Sequence, residues 1–150
     1  MNVDNLKLLS TDLEKLRMMN KSLNQSLKVC RKIKINNSFT DSEFQKLDVL
    51  TSRFSRLSDI IAQKVLRSID KINLEDTGTV RDRLNRAEKN ELILSSDEFA
   101  EIRKLRNDII HEYIPDEMNE IFKKVIEYSP LLDDSVSRIF KYCREKFQIV

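Results

Sequence analysis

The chain has 150 residues, an ordinary length for one domain that buries a core without disulfides or metals. It contains one Gly, two Pro and no Trp. This composition excludes an all-β protein, which needs more turn residues, and a doubly wound α/β protein, which needs Gly-rich turns. Its 27 Lys and Arg nearly balance 25 Asp and Glu, so a net charge of +2 gives no general attraction to nucleic acids. The composition therefore predicts an all-α protein.

Two cysteines, Cys30 and Cys143, occupy apolar helical positions and lie in neither a CxxC nor a Cys/His spacing. We expect them to be reduced core residues, and we expect neither a metal nor a cofactor. The first residues include acidic side chains and no continuous apolar run, which is not typical of a signal peptide. No window has the apolar length of a membrane span. The sequence therefore predicts a cytoplasmic protein with no membrane partner.

Two long amphipathic helices are predicted in the first half of the chain. The first ends near Asn36-Asn37, and its start is left open because Thr11-x-x-Glu14 also fits a capping box. Thr40-x-x-Glu43 predicts the start of the second, and the loop that contains Gly78 predicts its end. The second helix has one apolar face, which comprises Phe44, Leu47, Leu50, Phe54, Leu57, Ile61, Val65 and Ile69.

Four shorter helices are predicted in the second half. Thr79-x-x-Asp82 and Ser95-x-x-Glu98 predict the starts of two helices. The helix that starts at Ser95 must end before Pro115. Its inward-facing residues are predicted to be Phe99, Ile102, Leu105 and Ile109. Another helix is predicted from about Asp116 to Val125. Ser129-Pro130 then predicts the start of the last helix, because proline suits the first helical position. The predicted architecture is an antiparallel up-and-down helical bundle of four main helices plus shorter ones, in one domain spanning residues 1–150.

The single histidine, His111, lies near the predicted end of a helix. A lone histidine there more often interacts with the helix dipole and the last carbonyl groups than performs chemistry. This one is accompanied by Arg106 and Asn107, five and four residues before it, and by Tyr113, two residues after it. The combination of these residue types makes the segment the one candidate site in the sequence.

The segment RNDIIHEY matches the R-[N/D]-x-x-x-H-x-Y signature of the HEPN domain (higher eukaryotes and prokaryotes nucleotide-binding). The runs TSRFSRLSDIIAQKVLRSIDK and TGTVRDRLNRAEKNELI precede it in the order and spacing of that family, so the resemblance covers about residues 40 to 147. More narrowly, the chain resembles the HepT-like toxins that are encoded beside a minimal nucleotidyltransferase (MNT) antitoxin. That resemblance implies a bundle that dimerises with its Arg–His segments facing each other across a cleft, and metal-independent cleavage of RNA.

The resemblance also assigns roles to residues. Arg106 and His111 would be catalytic, and Tyr113 would be the residue to which the antitoxin transfers AMP. Beside them, we predict that Asn107 and Asp108 support the catalytic residues or bind phosphate. A simpler interpretation of Asp108 is a solvated charge on the helix surface or a partner of His111.

These residue types suit the implied chemistry. A histidine can take the proton of the ribose 2′-OH near neutral pH, and an arginine can hold phosphate oxygens with parallel donors. Asn107 can orient the imidazole or hold a phosphate oxygen. However, residues five apart on a regular helix diverge by about 140°, and one histidine cannot serve as base and as separate acid. A twofold dimer would answer both difficulties, so the sequence predicts a homodimer if the protein is an enzyme.

Three functions remain open at this stage. The first is the ribonuclease toxin of an HEPN/MNT toxin–antitoxin pair of type II/VII-like character. The second is a non-catalytic HEPN subunit that binds a nucleotide or substrate for a partner nucleotidyltransferase. The third is a helical bundle with only an assembly role. The motif favours the first, although a shared fold does not establish shared chemistry.

Overall fold

The structure is a computed structural model, and it describes residues 2–36, 38–111 and 117–150. All regular secondary structure in these ranges is helical, which confirms the all-α prediction. The elements, in chain order, are α1 (Val3–Cys30), α2 (Asp41–Asp59), a π-helix (Ile60–Val65), α3 (Leu66–Ile72), α4 (Val80–Lys89), α5 (Ser96–His111) and α6 (Met118–Phe147).

The structure fixes the start of the first helix, which the sequence left open, and it ends the helix earlier than predicted. Asn2 caps α1, since its Oδ1 accepts hydrogen bonds from the backbone N–H groups of Asp4 (2.8 Å) and Asn5 (3.3 Å). Thr11 therefore lies inside the helix, where its hydroxyl donates to the Lys7 carbonyl. The helix ends at Cys30, so the predicted end near Asn36-Asn37 is wrong.

The capping predictions for the next helices are confirmed. Glu43 N–H donates to Thr40 Oγ1 (3.1 Å) and Thr40 N–H donates to Glu43 Oε1 (3.0 Å), a reciprocal capping box at the start of α2. Thr79 and Asp82 form the same pair at the start of α4. Glu98 N–H donates to Ser95 Oγ (3.1 Å) at the start of α5.

The second predicted helix is one unbroken helical segment, but it is not α-helical throughout. It comprises α2, the π-helix and α3, from Asp41 to Ile72. The predicted apolar face is buried, with Phe44 half-buried against the core. The sequence did not predict the π-helix, whose first residue directly follows Asp59.

The prediction of two helices after Pro115 is wrong. A single helix, α6, extends from Met118 to Phe147 with Pro130 in its interior. The proline ring is exposed, and Ser129 lies inside the helix, where its hydroxyl donates to the Val125 carbonyl (2.6 Å). The helix continues because it has buried residues on both sides of the proline, and a break there would remove one half of them from the core. The buried residues of α6 are Met118, Ile121, Phe122, Val125, Ser129, Leu132, Ser135, Val136, Ile139, Cys143 and Phe147.

These helices enclose a common hydrophobic core. The first helix packs against α2, the π-helix, α3 and α6, while α5 packs against α2, α4 and α6. Both cysteines are buried and neither forms a disulfide, as predicted, and burial raises the pKa of both thiols, that of Cys143 to about 12. In the part of the chain that the structure describes, no helix combines the length and the apolar character needed to cross a bilayer.

Candidate functional site

The rotation of α5 about its axis decides which of its polar side chains meet α2. Phe99, Ile102 and Leu105 are buried and Ile109 is packed against the core, as predicted. Residues 103 and 106 are one turn apart and lie beside this apolar stripe. This places two arginines at the edge where α5 contacts α2.

Arg106 binds Asp59 of α2 with two parallel hydrogen bonds. Its Nε donates to Asp59 Oδ1 (2.7 Å) and its Nη2 donates to Oδ2 (2.8 Å). Such a paired arrangement of guanidinium and carboxylate fixes both side chains in one plane and is stronger than a single hydrogen bond. The candidate catalytic arginine is therefore held in one orientation by a residue from another helix.

Arg103 binds the same carboxylate. Its Nη1 donates to Asp59 Oδ1 (2.7 Å) and to the hydroxyl of the buried Ser58 (2.9 Å). The side chains of Arg103, Arg106 and Asp59 are 15%, 23% and 29% exposed, so the cluster is largely shielded from water while one edge remains open. Two positive charges and one negative charge leave the Asp59 cluster (Asp59, Arg103 and Arg106) with a formal charge of +1, and this charge attracts anions.

The protonation of Asp59 is governed by these neighbours. Partial burial opposes ionisation of the carboxyl, but the hydrogen bonds from Arg106 and then from Arg103 outweigh it, so the pKa of Asp59 lies below its usual range. The carboxylate is therefore charged at every pH near neutrality, and both arginines keep their partner there.

Asn107 lies beside Arg106, as its predicted supporting role requires. Its Oδ1 accepts a long hydrogen bond from Arg106 Nη1 (3.3 Å). The amide nitrogen is a separate donor and can still bind an acceptor such as a phosphate oxygen. Asn107 also lies one turn before His111 on the exposed side of α5. Of the predicted site residues that the structure describes, Asn107 is thus the one that adjoins both Arg106 and His111 along the helix.

His111 and Arg106 do not meet within one chain. The helix is regular through His111, so the two residues diverge by about 140° around its axis. In addition, the Arg106 side chain is directed to Asp59, while His111 is exposed. Asp108 is also exposed; it lies one turn before His111 and about 200° around the helix from Arg106. Tyr113, the predicted site of modification, lies outside the described residues.

Two residues of the site, Asp59 and Arg103, were not predicted. The available signal was Ser58-Asp59, since Ser58 lies four residues after Phe54 on the face that the apolar spacing predicts to be buried. A polar residue at a buried position requires a polar partner, and Arg103 provides it. The sequence could have indicated that a partner exists, although not which helix carries it.

Among the described residues, no group of three or more His, Cys, Asp or Glu side chains is arranged to hold a metal ion. Comparison of the chain with protein-family models, with curated proteins and with solved structures finds no match in any of the three. Any family assignment therefore depends on the residues of this chain alone.

Proposed function

We propose that this protein is a metal-independent ribonuclease, the toxin of an HEPN/MNT toxin–antitoxin pair, whose Arg106 and His111 act in a cleft between two copies of an antiparallel up-and-down bundle. The observation that carries the proposal is the Asp59 cluster: two oriented, partly buried guanidinium groups with a net positive charge, on the same helix as the exposed His111. A site of this kind suits a phosphodiester substrate.

The donors of Arg106 leave room for a phosphate. A guanidinium has five N–H donors; among the described residues Asp59 occupies two and Asn107 occupies one, which leaves two donors without a partner there. Asp59 and Asn107 together fix the plane in which these two donors point. A donor pair held in place before the substrate binds stabilises developing charge on the phosphate without reorganisation during the reaction.

In the proposed reaction, His111 removes the proton from a ribose 2′-OH. The 2′-oxygen then attacks the adjacent phosphorus, and the bond from phosphorus to the 5′-oxygen breaks. The leaving 5′-oxygen takes a proton from the histidine of the second copy, and the products are a 2′,3′-cyclic phosphate and a free 5′-OH. Because the nucleophile is the 2′-OH, the reaction is restricted to RNA.

The regularity of α5 supports the dimeric form of this proposal. Within one chain Arg106 and His111 are on different sides of the helix, so a site that uses both needs a second copy of the chain or a large change in the helix. A twofold axis near the end of α5 would bring the histidine of one copy toward the arginine of the other. The single cleft between the two copies would then contain two arginine–histidine pairs.

The second candidate is a non-catalytic subunit that binds a nucleotide for a partner nucleotidyltransferase. Its specific support is the ion pair itself, because a guanidinium already bound to a carboxylate has less charge to offer a transition state than a free one. The same cluster with its charge of +1 would still bind a nucleotide phosphate. Catalysis by the isolated protein separates the two candidates.

The test is RNA cleavage by the purified protein in the presence of EDTA. We expect the wild type to leave 2′,3′-cyclic phosphate ends on RNA and to leave DNA intact, and we expect His111→Ala to cut at least about a hundredfold more slowly. Lys104→Ala is the matched control, since it removes an exposed cation from the same helix without touching the Asp59 cluster. Cleavage that requires added magnesium, or full activity of His111→Ala, would exclude the proposed mechanism.

A further inference from the structure

The π-helix Ile60–Val65 lies between the candidate site and the contacts of α3 with α4. Short π-helical insertions in α-helices are rare in proteins, and those that do occur are often found at functional sites. Here the backbone N–H of Leu66 bonds to the carbonyl of Ile61, five residues back, whereas an α-helix would use Ala62. The insertion therefore shifts the register of the helical segment immediately after Asp59.

This shift matters because Asp59 and Asp70 bind different helices. They are eleven residues apart, and in a continuous α-helix they would point within about 20° of each other. In the structure, Asp59 receives Arg103 and Arg106 from α5, while Asp70 receives Arg86 from α4 (Nη2 to Oδ2, 2.8 Å). The π-helix supplies the rotation that lets one helical segment present its two carboxylates in two directions.

Arg83 of α4 contacts the π-helix directly. Its Nη1 donates to the carbonyl of Ala62 (3.1 Å), the oxygen that Leu66 N–H does not use. Its side chain is only 14% exposed, with Nε 3.6 Å from Asp70 and Nη2 3.6 Å from Asp76. Within the described part of the chain Arg83 Nε has no hydrogen-bond partner. The bond to Ala62 is therefore the contact that orients this guanidinium.

Arg86 provides an internal comparison. It lies one turn after Arg83 on α4 and binds the same carboxylate, Asp70. Its Nη1 donates to the carbonyl of Thr77, in the loop before α4, and not to the π-helix. Both arginines thus lie on α4, carry one positive charge and contact Asp70. They differ in the backbone carbonyl that each one binds, and Arg83 also lies near Asp76.

We infer that Arg83 is a positioning residue for the Asp59 cluster: by binding the Ala62 carbonyl it holds the π-helical register, and that register directs Asp59 toward Arg103 and Arg106. Without this contact the segment can return toward α-helical hydrogen bonding. A register change of one residue turns the Asp59 side chain by about 100° relative to α3 and moves it away from α5. The consequence for catalysis rests on the proposed function, whereas the consequence for Asp59 does not.

The first measurement is the pKa of the Asp59 carboxyl, followed by NMR through a pH titration of the folded protein. In Arg83→Met we expect the pKa of Asp59 to rise toward the ordinary value of about 3.9, because the hydrogen bonds from Arg106 and Arg103 weaken. In Arg86→Met, which removes the same charge and the shorter of the two contacts with Asp70, we expect the pKa of Asp59 to remain low. Arg83→Lys keeps the charge and one donor that can reach Ala62, so it should restore the low value.

Amide hydrogen exchange gives a second readout of the same contact. The Leu66 amide should exchange faster in Arg83→Met than in Arg86→Met, because the segment then interconverts between the π-helical bond to Ile61 and the α-helical bond to Ala62, and the amide is open during each conversion. If Arg83→Met does not fold, Arg83→Gln removes the charge with a smaller loss of hydrogen bonding and enters the same comparison. An unchanged pKa of Asp59 in Arg83→Met, or in Arg83→Gln where that variant replaces it, would overturn the inference, and so would equal changes in Arg83→Met and Arg86→Met.

RNA cleavage then separates this inference from the proposed function. We expect Arg83→Met to cleave roughly tenfold to a hundredfold more slowly, as small displacements of catalytic groups do, and Arg86→Met to stay near wild type. Should no variant and no wild-type protein cleave RNA, the proposed function fails, while the NMR titration still decides whether Arg83 positions Asp59. A wild-type rate in Arg83→Met together with a raised pKa of Asp59 would refute the catalytic consequence alone.

Discussion

Asp59 fixes the orientation of Arg103 and Arg106 on α5, and its negative charge sets the net charge of the cluster that the three residues form. Two guanidinium groups one turn apart repel each other. The carboxylate of Asp59 lies between them and attracts both, and these two attractions offset the repulsion. It also lowers the net charge that a substrate meets, so the site combines a fixed geometry with a moderate attraction for anions. The same residue therefore contributes to stability and sets the conditions for chemistry.

This dual role predicts how stability depends on Asp59 and on pH. Asp59→Asn should lower the free energy of unfolding by about 1–2 kcal/mol near pH 6, because two partly buried arginines lose their counter-charge. The value is this small because water at the open edge of the cluster screens the interaction. The folded-state pKa of Asp59 is depressed, so its contribution is present above the unfolded value of about 3.9 and is lost as the pH falls through the folded value. Urea unfolding at pH 6 and pH 3 should show the difference between wild type and variant shrinking at the lower pH.

Asp108→Asn is the control for that measurement. It removes a carboxylate from the exposed surface of α5 and should change stability by less than about 0.5 kcal/mol. Equal effects of the two substitutions at pH 6 would mean that the Asp59 cluster does not stabilise the fold.

Among the helices, the sequence predicted the caps, which depend on residues close together in the chain. It did not predict the contacts that depend on residues far apart in the chain. The caps at Thr40, Thr79 and Ser95 are confirmed because each bond joins residues three apart. The π-helix was not predicted, since an α4 residue far along the chain contacts its backbone. Likewise, the motif identified Arg106 but not Asp59, from which 47 positions separate it. The wrong division at Pro130 has the same cause, because burial on both sides outweighs the local preference of proline.

The interior position of Pro130 can be tested by Pro130→Ala. A proline inside a helix removes one backbone hydrogen bond and costs about 3 kcal/mol, partly offset by the smaller entropy of the unfolded chain. Because the ring is exposed, its loss uncovers little of the core, and we expect the free energy of unfolding to rise by about 1–2 kcal/mol. Ser137→Ala, an exposed site on the same helix, should gain no more than about 0.5 kcal/mol. A loss of stability in Pro130→Ala would instead favour a helix that starts at this proline.

At the scale of the whole molecule, the proposed toxin needs a partner that silences it, and Tyr113 is the proposed point of control. Its hydroxyl lies two residues beyond His111 in sequence, so a transferred AMP would place negative charge and an adenosine where RNA must bind. After co-expression with a minimal nucleotidyltransferase encoded beside the gene, intact-mass analysis should show added AMP on wild type and none on Tyr113→Phe. The variant should remain toxic.

Tyr128→Phe is the matched control for the modification. Tyr128 is half-buried, and burial raises the pKa of its phenol, so it is a poorer acceptor of a transferred group. This variant should carry AMP as the wild type does. AMP on Tyr113→Phe, or a wild type that is silenced without any added mass, would refute the assignment of Tyr113 and leave the catalytic proposal standing.

The proposed chemistry requires a second copy of the chain, because of the geometry of α5. Since Arg106 and His111 diverge around a regular helix, each active site should take its arginine from one protomer and the facing histidine from the other. Arg106→Ala and His111→Ala homodimers should both be inactive. Heterodimers of the two variants, purified through two different affinity tags, should cleave RNA faster than either homodimer but well below the wild-type rate. One arginine still faces one histidine that can act as the base, but the second histidine, which protonates the leaving 5′-oxygen, is missing. Heterodimers no more active than either parent would place both groups in one protomer, and a monomer that cleaves RNA at micromolar concentration would remove the shared cleft altogether.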